Sequence, residues 1–300
     1  MPLQPAPSAS KAAKATVRNH FQFHFTGVTI GAVRSLATMN CGRFWFMLLS
    51  TRRAAIGCAI VFSAITTPGA ETNFAARCER AFKEAREVVR KEPTNMVALV
   101  QLARTTFDWA DFAQKDEERA AVANVGIEAA RRGIENTPTN AAAHYWLAMN
   151  LGQLARTRLL GALKLVVDME AEFLRARALD EHVDLAGPAR SLGILYREAP
   201  GRPASIGNRQ KAREHLERAV QLHPEFPDNQ LALVESFEKW GDKKEFQRQL
   251  KIAERVVVEA RGKFTGPTWD QSWADWEKRL RAMKSKTGEP AAPVTGKGAQ

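Results

Sequence analysis

The sequence predicts an all-α fold, a tetratricopeptide-like helical-repeat array of about four helix pairs with a C-terminal capping helix. The clearest evidence is that Ala212, Leu216 and Ala219 share one helical face and Pro224 follows at offset 12. Small and large residues on one face allow a neighbouring helix to approach, and the proline ends the helix. This pattern recurs four more times, and a Pro-Thr-Asn triplet, which supplies a capping asparagine, precedes two of the helices.

The further copies of the pattern have small or apolar residues at offsets 0, 4 and 7. In chain order they are Ala81, Ala85 and Val88; Gly126, Ala130 and Gly133; Met169, Phe173 and Ala176; and Phe246, Leu250 and Ala253. The turn prolines Pro93 and Pro138 are 45 residues apart, whereas standard tetratricopeptide units repeat about every 34 residues. We therefore expect insertions, mainly at residues 108–118, 155–168 and 199–209.

The helices are predicted in order from these patterns and from the turn residues between them. An opening helix starts near residue 73, and the later helices span 96–112, 117–136, 141–157, a segment ending near 179, 187–197, 210–222, 229–239 and 243–261. Trp269, Trp273 and Trp276 then form a stripe on a capping helix at 269–284, which we interpret as a packing face. Residues 285–300 are rich in Gly, Pro, Lys and Ala, so we expect disorder.

The first 70 residues have the composition of a targeting segment. They contain seven basic residues and no acid, and Arg52 and Arg53 precede an uncharged run at 54–65. We therefore divide the chain into a leader at 1–70, a repeat domain at 71–262, a capping helix at 263–284 and a tail at 285–300. Translation from Met39 or Met47 would give a leader of conventional length. A mitochondrial transit peptide is the alternative interpretation.

A secretory signal predicts a periplasmic or secreted protein. Of three cysteines, Cys41 and Cys58 would leave with the signal, so Cys78 would remain alone and no intrachain disulfide is expected. Lipid anchoring at Cys58 is not favoured, because most of the apolar run follows this residue instead of preceding it. We expect Cys78 to pack as a small apolar side chain.

Charge argues against nucleic acid as a partner. The net charge is +11, but beyond residue 70 only 37 basic residues face 33 acidic ones. The high isoelectric point is therefore mainly a property of the leader, and no basic stripe with interleaved aromatic residues occurs in the repeats.

Catalytic motifs are missing from the sequence. It contains no HExxH spacing, no phosphate-binding glycine loop and no GxSxG turn. We expect the histidines of the repeat domain, His144 and His223 among them, to have structural roles. The sequence therefore predicts a protein that is not an enzyme and that needs neither a metal nor a cofactor.

Tetratricopeptide units usually line a concave groove with the second, fifth, ninth and twelfth residues of each opening helix. Here those positions include Val97 and Val100 in one unit, Tyr145 and Met149 in the next, and Asp228, Leu231, Glu235 and Glu238 in the last. The first two sets are mostly apolar and fit an apolar ligand or partner segment. The alternative is that inserted helices cover these positions and make them ordinary core residues.

The segment 199–208 contains two prolines and two glycines, Pro200, Gly201, Pro203 and Gly207. Proline fixes φ and glycine permits unusual φ, so we expect a defined path for this loop. One interpretation makes it the lip of a ligand channel, with Tyr196 and Trp146 close by. The other makes it a structural turn between two helices that cannot connect directly.

Residues 141–153, 187–208 and 212–230 resemble the T-component family of tripartite ATP-independent periplasmic (TRAP) transporters. They resemble more distantly the core of the regulators of microtubule dynamics. The first resemblance implies a helical-repeat periplasmic protein, sometimes trimeric, that cooperates with a substrate-binding subunit and hands over an apolar small molecule. The alternative function is a protein–protein interaction scaffold without ligand transport.

Overall fold

The structure, a computed structural model, describes residues 69–158 and 161–287, with side chains from residue 74 onward. In these ranges the chain forms ten α-helices and one 3-10 turn at Pro267–Trp269. The helices are α1 (Gly69–Lys91), α2 (Met96–Ala110), α3 (Asp116–Asn136), α4 (Ala141–Ala155), α5 (Ala162–Leu179), α6 (Gly187–Glu198), α7 (Arg209–Leu222), α8 (Pro227–Lys239), α9 (Lys243–Ala260) and α10 (Asp270–Ser285). The all-α prediction is confirmed.

The helices stack as consecutive pairs on one continuous apolar core. Helix α2 packs with α3, α4 with α5, α6 with α7, and α8 with α9, while α1 precedes the first pair and α10 covers the last. This is the predicted array of four pairs with a capping helix. Helices such as α7 and α9 bury one face, whereas α4, α6 and α8 are buried on most of their surface. Stacking of this kind is how repeat proteins build a core from units that could not bury their apolar faces alone.

Asparagine and aspartate side chains fix where several helices begin. The side-chain oxygens of Asn95 and Asn140 accept hydrogen bonds from the backbone N–H groups of Ala98 and Ala143, at 3.1 and 2.9 Å. Asn208 and Asp242 cap α7 and α9 in the same way. The capping role predicted for the Pro-Thr-Asn triplets is confirmed, and each such cap stabilises its helix by about 1 kcal/mol.

The small–large–small pattern lies in the core in four of its five copies. Ala212, Leu216 and Ala219 are fully buried, and the copies in α3, α5 and α9 are buried as well. The copy assigned to α1 is wrong by one residue, because Val88 is exposed and Val89 is buried.

Helix α1 differs because it contacts both ends of the array. Its buried stripe is Cys78, Phe82, Ala85 and Val89. Cys78, which packs as a small buried side chain, lies with its Sγ 3.8 Å from the Gln271 side chain of α10. Arg77 of α1 donates a 2.5 Å hydrogen bond to the carbonyl oxygen of Pro267. The first and last helices therefore touch, and the stripe of α1 is turned towards both of its neighbours.

The capping helix docks through aromatic side chains. Trp276 is completely buried and its ring centroid lies 5.6 Å from that of Phe226 and 5.9 Å from that of Phe264. Trp269 packs at the edge of this cluster, and Trp273 donates a 2.7 Å hydrogen bond to the carbonyl oxygen of Phe264. The tryptophan stripe is thus a packing face, as its spacing indicated.

Several predictions concern residues outside the described ranges. They are the leader with its alternative starts at Met39 and Met47, the lipidation question at Cys58, and the tail beyond residue 287. Ser285, which we assigned to the tail, belongs to α10, and Lys286 pairs with Glu238. No helix in the described ranges has the length and apolarity that a membrane span requires.

Candidate functional site

The predicted groove residues of α4 lie in the core. Tyr145 and Met149 are fully buried. The Tyr145 hydroxyl donates a 2.8 Å hydrogen bond to a carboxylate oxygen of Asp184, and the Ser191 hydroxyl contacts the Met149 sulfur at 3.7 Å. In this structure the turn before α6, and α6 itself, fill the space where a ligand would contact these two side chains. A ligand-binding role for them stays a prediction.

The other predicted groove residues fall into different environments. Trp146 is 4% exposed, and it packs against the ring of Phe107 and below the guanidinium of Arg104. Val100 is half-buried against the core, whereas Val97 is 79% exposed. The structure therefore does not bring Val97 together with the aromatic residues of α4.

The predicted groove residues of the last unit contact the capping helix. Arg279 of α10 lies 2.6 Å from a carboxylate oxygen of Asp228 and 2.6 Å from one of Glu235, and it also pairs with Asp275 of its own helix. Leu231 is fully buried, and Lys286 pairs with Glu238 at 2.8 Å. The concave face of this unit is therefore occupied by the protein's own last helix.

A buried ion pair between Arg190 of α6 and Asp184 lies beside Tyr145. Arg190 and Asp184 are 3.1 Å apart, with side chains only 3% and 4% exposed, and Arg190 also donates to Asn229 at 2.7 Å. Burial raises the pKa of the Asp184 carboxyl to about 6, against the lowering effect of Arg190. We assign Asp184 and Arg190 a structural role, because their polar atoms contact partners within the core.

The turn that presents Asp184 was not predicted. Asp184, Leu185 and Ala186 have φ of 53°, 52° and 66°, so three consecutive residues other than glycine adopt the left-handed conformation. Such residues are rare in that region, and only surrounding contacts maintain them. The sequence carries no signal for this turn, since glycine follows only at position 187.

The loop 199–208 has a defined path, as expected. The backbone N–H of Gly207 donates a 2.8 Å hydrogen bond to the carbonyl oxygen of Pro200, and the N–H of Asn208 donates to that of Tyr196. Pro200, Gly201 and Pro203 are exposed, and the Arg202–Pro203 peptide bond is cis. Tyr196 is buried and donates to Glu170 of α5. The loop connects α6 to α7, and its binding role stays a prediction.

Glycine is required at position 207 but not at position 201. A Cβ at 207 would lie 2.1 Å from the carbonyl oxygen of Ala199, while at 201 the nearest atom is 3.9 Å away. We expect Gly207→Ala to lower the free energy of unfolding by about 2–3 kcal/mol through this clash, and Gly201→Ala to lower it by less than about 1 kcal/mol. Urea unfolding measures both, and equal losses would contradict the described loop.

An open groove lies between α1 and α3, above α2. Its volume is about 720 Å³, and we call it the α1–α3 groove. Its apolar floor consists of Val89, Pro93, Leu102, Val125 and Ala129, and its charged rim of Lys83, Arg86, Glu87, Arg90, Glu128 and Arg132. With four basic and two acidic side chains, the rim has a positive balance. Such a groove fits an apolar segment that carries carboxylates.

The sequence contains only a weak signal for this groove. Lys83, Arg86 and Arg90 recur on α1 with spacings of three and four residues, and all three are exposed. Exposed charges on a helix usually mark a solvated face. Only the packing of α3 against α2 reveals an apolar floor beside them, because that floor is contributed by three separate helices.

The histidines have structural partners in the described part of the chain. The Nδ1 atom of His144 lies 2.6 Å from a carboxylate oxygen of Glu172, and its Nε2 atom lies 3.0 Å from the carbonyl oxygen of Pro138. Burial and the nearby Arg177 lower the pKa of His215 to about 4. The described residues include no group of three or more His, Cys, Asp or Glu side chains placed to hold a metal ion.

A solved structure with a similar fold belongs to a tetratricopeptide-repeat protein. A thermophilic TPR protein of Thermus thermophilus matches with a TM-score of 0.51 and 17% identity, over 72% of this chain and 94% of that one. A crystal structure of MamA matches with a TM-score of 0.44 and 19% identity, over 63% of this chain and 94% of that one. The first match supports the tetratricopeptide-like helical-repeat fold.

A family model described as regulator of microtubule dynamics protein 1-3 matches residues 70–162, which is less than half of the chain. This range contains α1 to α4 and therefore the whole α1–α3 groove. No curated protein matches the chain. The match agrees with the more distant of the two resemblances seen in the sequence, and these comparisons give no support to the TRAP T-component resemblance.

Proposed function

We propose that this protein is a protein–protein interaction scaffold that binds a segment of a partner in the α1–α3 groove. The observation that carries the proposal is the groove itself, a concave space of about 720 Å³ with an apolar floor. The ordinary tetratricopeptide groove positions Tyr145 and Met149 are buried in α4, and α10 covers those of the last unit, whereas Val97 of α2 is exposed. Among the described residues, the α1–α3 groove is a concave surface that stays open to a partner.

The chemistry of the groove defines the partner segment. Pro93 and Val125 are the more accessible part of the apolar floor, above the buried Val89 and Leu102, and they offer an apolar surface that an aliphatic or aromatic side chain would cover. Arg86 and Lys83 on the rim would face carboxylates of the same segment. We therefore propose an amphipathic segment with one apolar face flanked by Asp or Glu, which docks as helices dock into apolar grooves.

A peptide-display selection against the purified full chain tests this proposal. We expect the enriched peptides to combine apolar residues with Asp or Glu, and to bind more weakly as salt concentration rises. Arg86→Glu is expected to weaken the selected peptides about tenfold or more, because it places a like charge against their carboxylates. Arg255→Glu on α9 is the matched control, since Arg255 is also exposed but far from the groove along the chain.

Three outcomes would contradict the proposal. The selection could enrich no sequence class, it could enrich basic peptides, or Arg86→Glu and Arg255→Glu could weaken binding by the same factor. Circular dichroism of both variants shows whether they stay folded, so that a loss of binding is assigned to the groove and not to unfolding.

The proposal includes no catalytic step. Asp184, the buried carboxyl whose pKa is raised, forms an ion pair with Arg190 and accepts a hydrogen bond from Tyr145. The histidines have structural partners. We propose that the protein acts through binding alone, with no cofactor.

The TRAP T-component interpretation remains a separate proposal with a different ligand and location. It predicts a periplasmic protein that carries an apolar small molecule and contacts a substrate-binding subunit. Native mass spectrometry of the chain purified from a periplasm would reveal such a molecule, or a trimer. Tyr145, Trp146 and Met149 would then have to become accessible from the buried positions that they occupy in this structure.

A further inference from the structure

Helix α5 has a second apolar face that no described part of the chain covers. Its inner face, from Ala162 to Ala176, packs in the core. Its outer face carries an exposed stripe at spacings of four, four, three and four residues, which keeps the side chains on one side of a helix. We call this the α5 stripe, and its members are Leu163, Val167, Ala171, Leu174 and Ala178.

The α5 stripe is unusual within this protein. Leu163, Val167 and Leu174 are 44%, 49% and 41% exposed. The corresponding second helices of the other pairs expose mainly polar and charged residues. On α9, for example, the exposed residues are Lys243, Lys244, Gln247, Arg248, Lys251, Arg255, Val258 and Glu259. A contiguous apolar face on one helix of an otherwise charged surface marks an interaction site.

We propose that the α5 stripe binds the same stripe of a second copy of this chain, with the two α5 helices antiparallel across a two-fold axis. In an isologous contact residue i meets residue j while j meets i. With the axis near Ala171, Val167 meets Leu174 of the second copy, and the small Ala171 side chains let the two backbones approach. The apolar pattern is therefore complementary to itself when one copy is reversed.

The charges beside the stripe select the same arrangement. Asp168 and Arg175 are seven residues, or about two turns, apart, and they flank the stripe on one side. In the antiparallel pair each Asp168 faces an Arg175 of the other copy. In a parallel two-fold pair this side of each helix would face the opposite side of the other helix, so the contact between Asp168 and Arg175 would not form. Asp168 now contacts Lys164 at 3.1 Å, but both side chains are exposed, so that pair does not compete strongly.

Sedimentation velocity over a concentration series of the full chain tests the proposal. We expect a reversible dimer for the unchanged protein and a monomer at all concentrations for Leu174→Glu, which buries a charge at the contact. Val258→Glu is the matched control, because Val258 is exposed on α9, and this variant is expected to dimerise as the unchanged protein does.

A charge exchange separates a second copy from any other occupant. Asp168→Arg and Arg175→Asp are each expected to raise the dimer dissociation constant about tenfold, because every change acts twice across the axis. The double variant restores the pair with its charges exchanged and is expected to return to within about threefold of the unchanged protein. These contacts lie outside the α1–α3 groove, so the outcome is independent of the proposed function.

A monomeric unchanged protein would overturn the proposal, as would a dimer that persists in Leu174→Glu. Failure of the double charge exchange to restore dimerisation would overturn the antiparallel pairing. If the leader run at 54–65 covered the stripe instead, the protein would be monomeric and Leu174→Glu would change its stability but not its mass, which contradicts the proposal as well.

Discussion

Replacing Arg190 by methionine is expected to lower the free energy of unfolding by about 3–5 kcal/mol. Arg190 is 2% exposed and holds Asp184 and the Asn229 side chain. Methionine fills a similar volume but removes the cation that balances the buried Asp184 carboxylate and the donor to the Asn229 side-chain oxygen. Urea unfolding followed by circular dichroism gives the value.

The loss of unfolding free energy in Arg190→Met should depend on pH, and the direction of this dependence identifies Asp184 as the titrating group. Its pKa is about 6 when folded, and its unfolded value is near the ordinary value of about 4. A raised carboxyl pKa means that the folded state binds the proton more readily, so stability falls as pH rises through this window. Without Arg190 the pKa rises further, and Arg190→Met is expected to be more destabilising at about pH 8 than at about pH 5.

Two variants control this prediction. Asp184→Leu combined with Arg190→Met removes both charges and is expected to recover part of the loss, because no unpaired charge stays buried. Arg255→Met removes an exposed arginine and should cost less than about 0.5 kcal/mol. A loss for Arg190→Met as small as that of Arg255→Met would show that the buried pair is not formed.

Replacing Arg279 by methionine is expected to cost about 3–5 kcal/mol and to loosen the capping helix. Its side chain is 11% exposed, and it neutralises Asp228, Glu235 and Asp275 together. These neighbours hold its pKa well above the usual range in spite of burial, which fixes its positive charge. Without it, three carboxylates face one another at the junction of α8 and α10.

Fluorescence and stability measured on the same samples check this prediction. Because Trp276 lies on the buried face of α10, loosening of the helix should shift tryptophan emission to longer wavelength before global unfolding. Lys286→Met is the matched control, since it breaks the exposed pair with Glu238 and should cost less than about 1 kcal/mol. An unchanged emission and melting temperature in Arg279→Met would disprove the anchoring role.

The local fold could be predicted because its signals are local. The capping residues Asn95 and Asn140 and the prolines after α1, α3 and α7 fix several boundaries, and the predicted helix at 141–157 ends within two residues of the observed Ala155. The small–large–small pattern identified the core of α7 correctly. It failed in α1 by one residue, because α1 is also in contact with α10, and no local pattern contains that contact.

The surfaces could not be predicted in the same way. Whether Tyr145 lines an open groove depends on a left-handed turn at 184–186, which has no signal in its residue types. The ion pairs of Arg190 and Arg279 join residues from different helices, so sequence alone could not distinguish them from solvated charges. The α1–α3 groove could not be predicted for a similar reason, since three helices contribute its floor.

Hydrogen–deuterium exchange of the full chain, with and without a peptide selected for binding, tests the central claim most directly. If the α1–α3 groove is the partner site, the peptide should slow exchange in the second half of α1 and in the part of α3 around Val125 and Ala129. Exchange in α8 to α10 should not change. Protection confined to α8 to α10 or to the loop at 199–208 would place the binding site elsewhere and contradict the account.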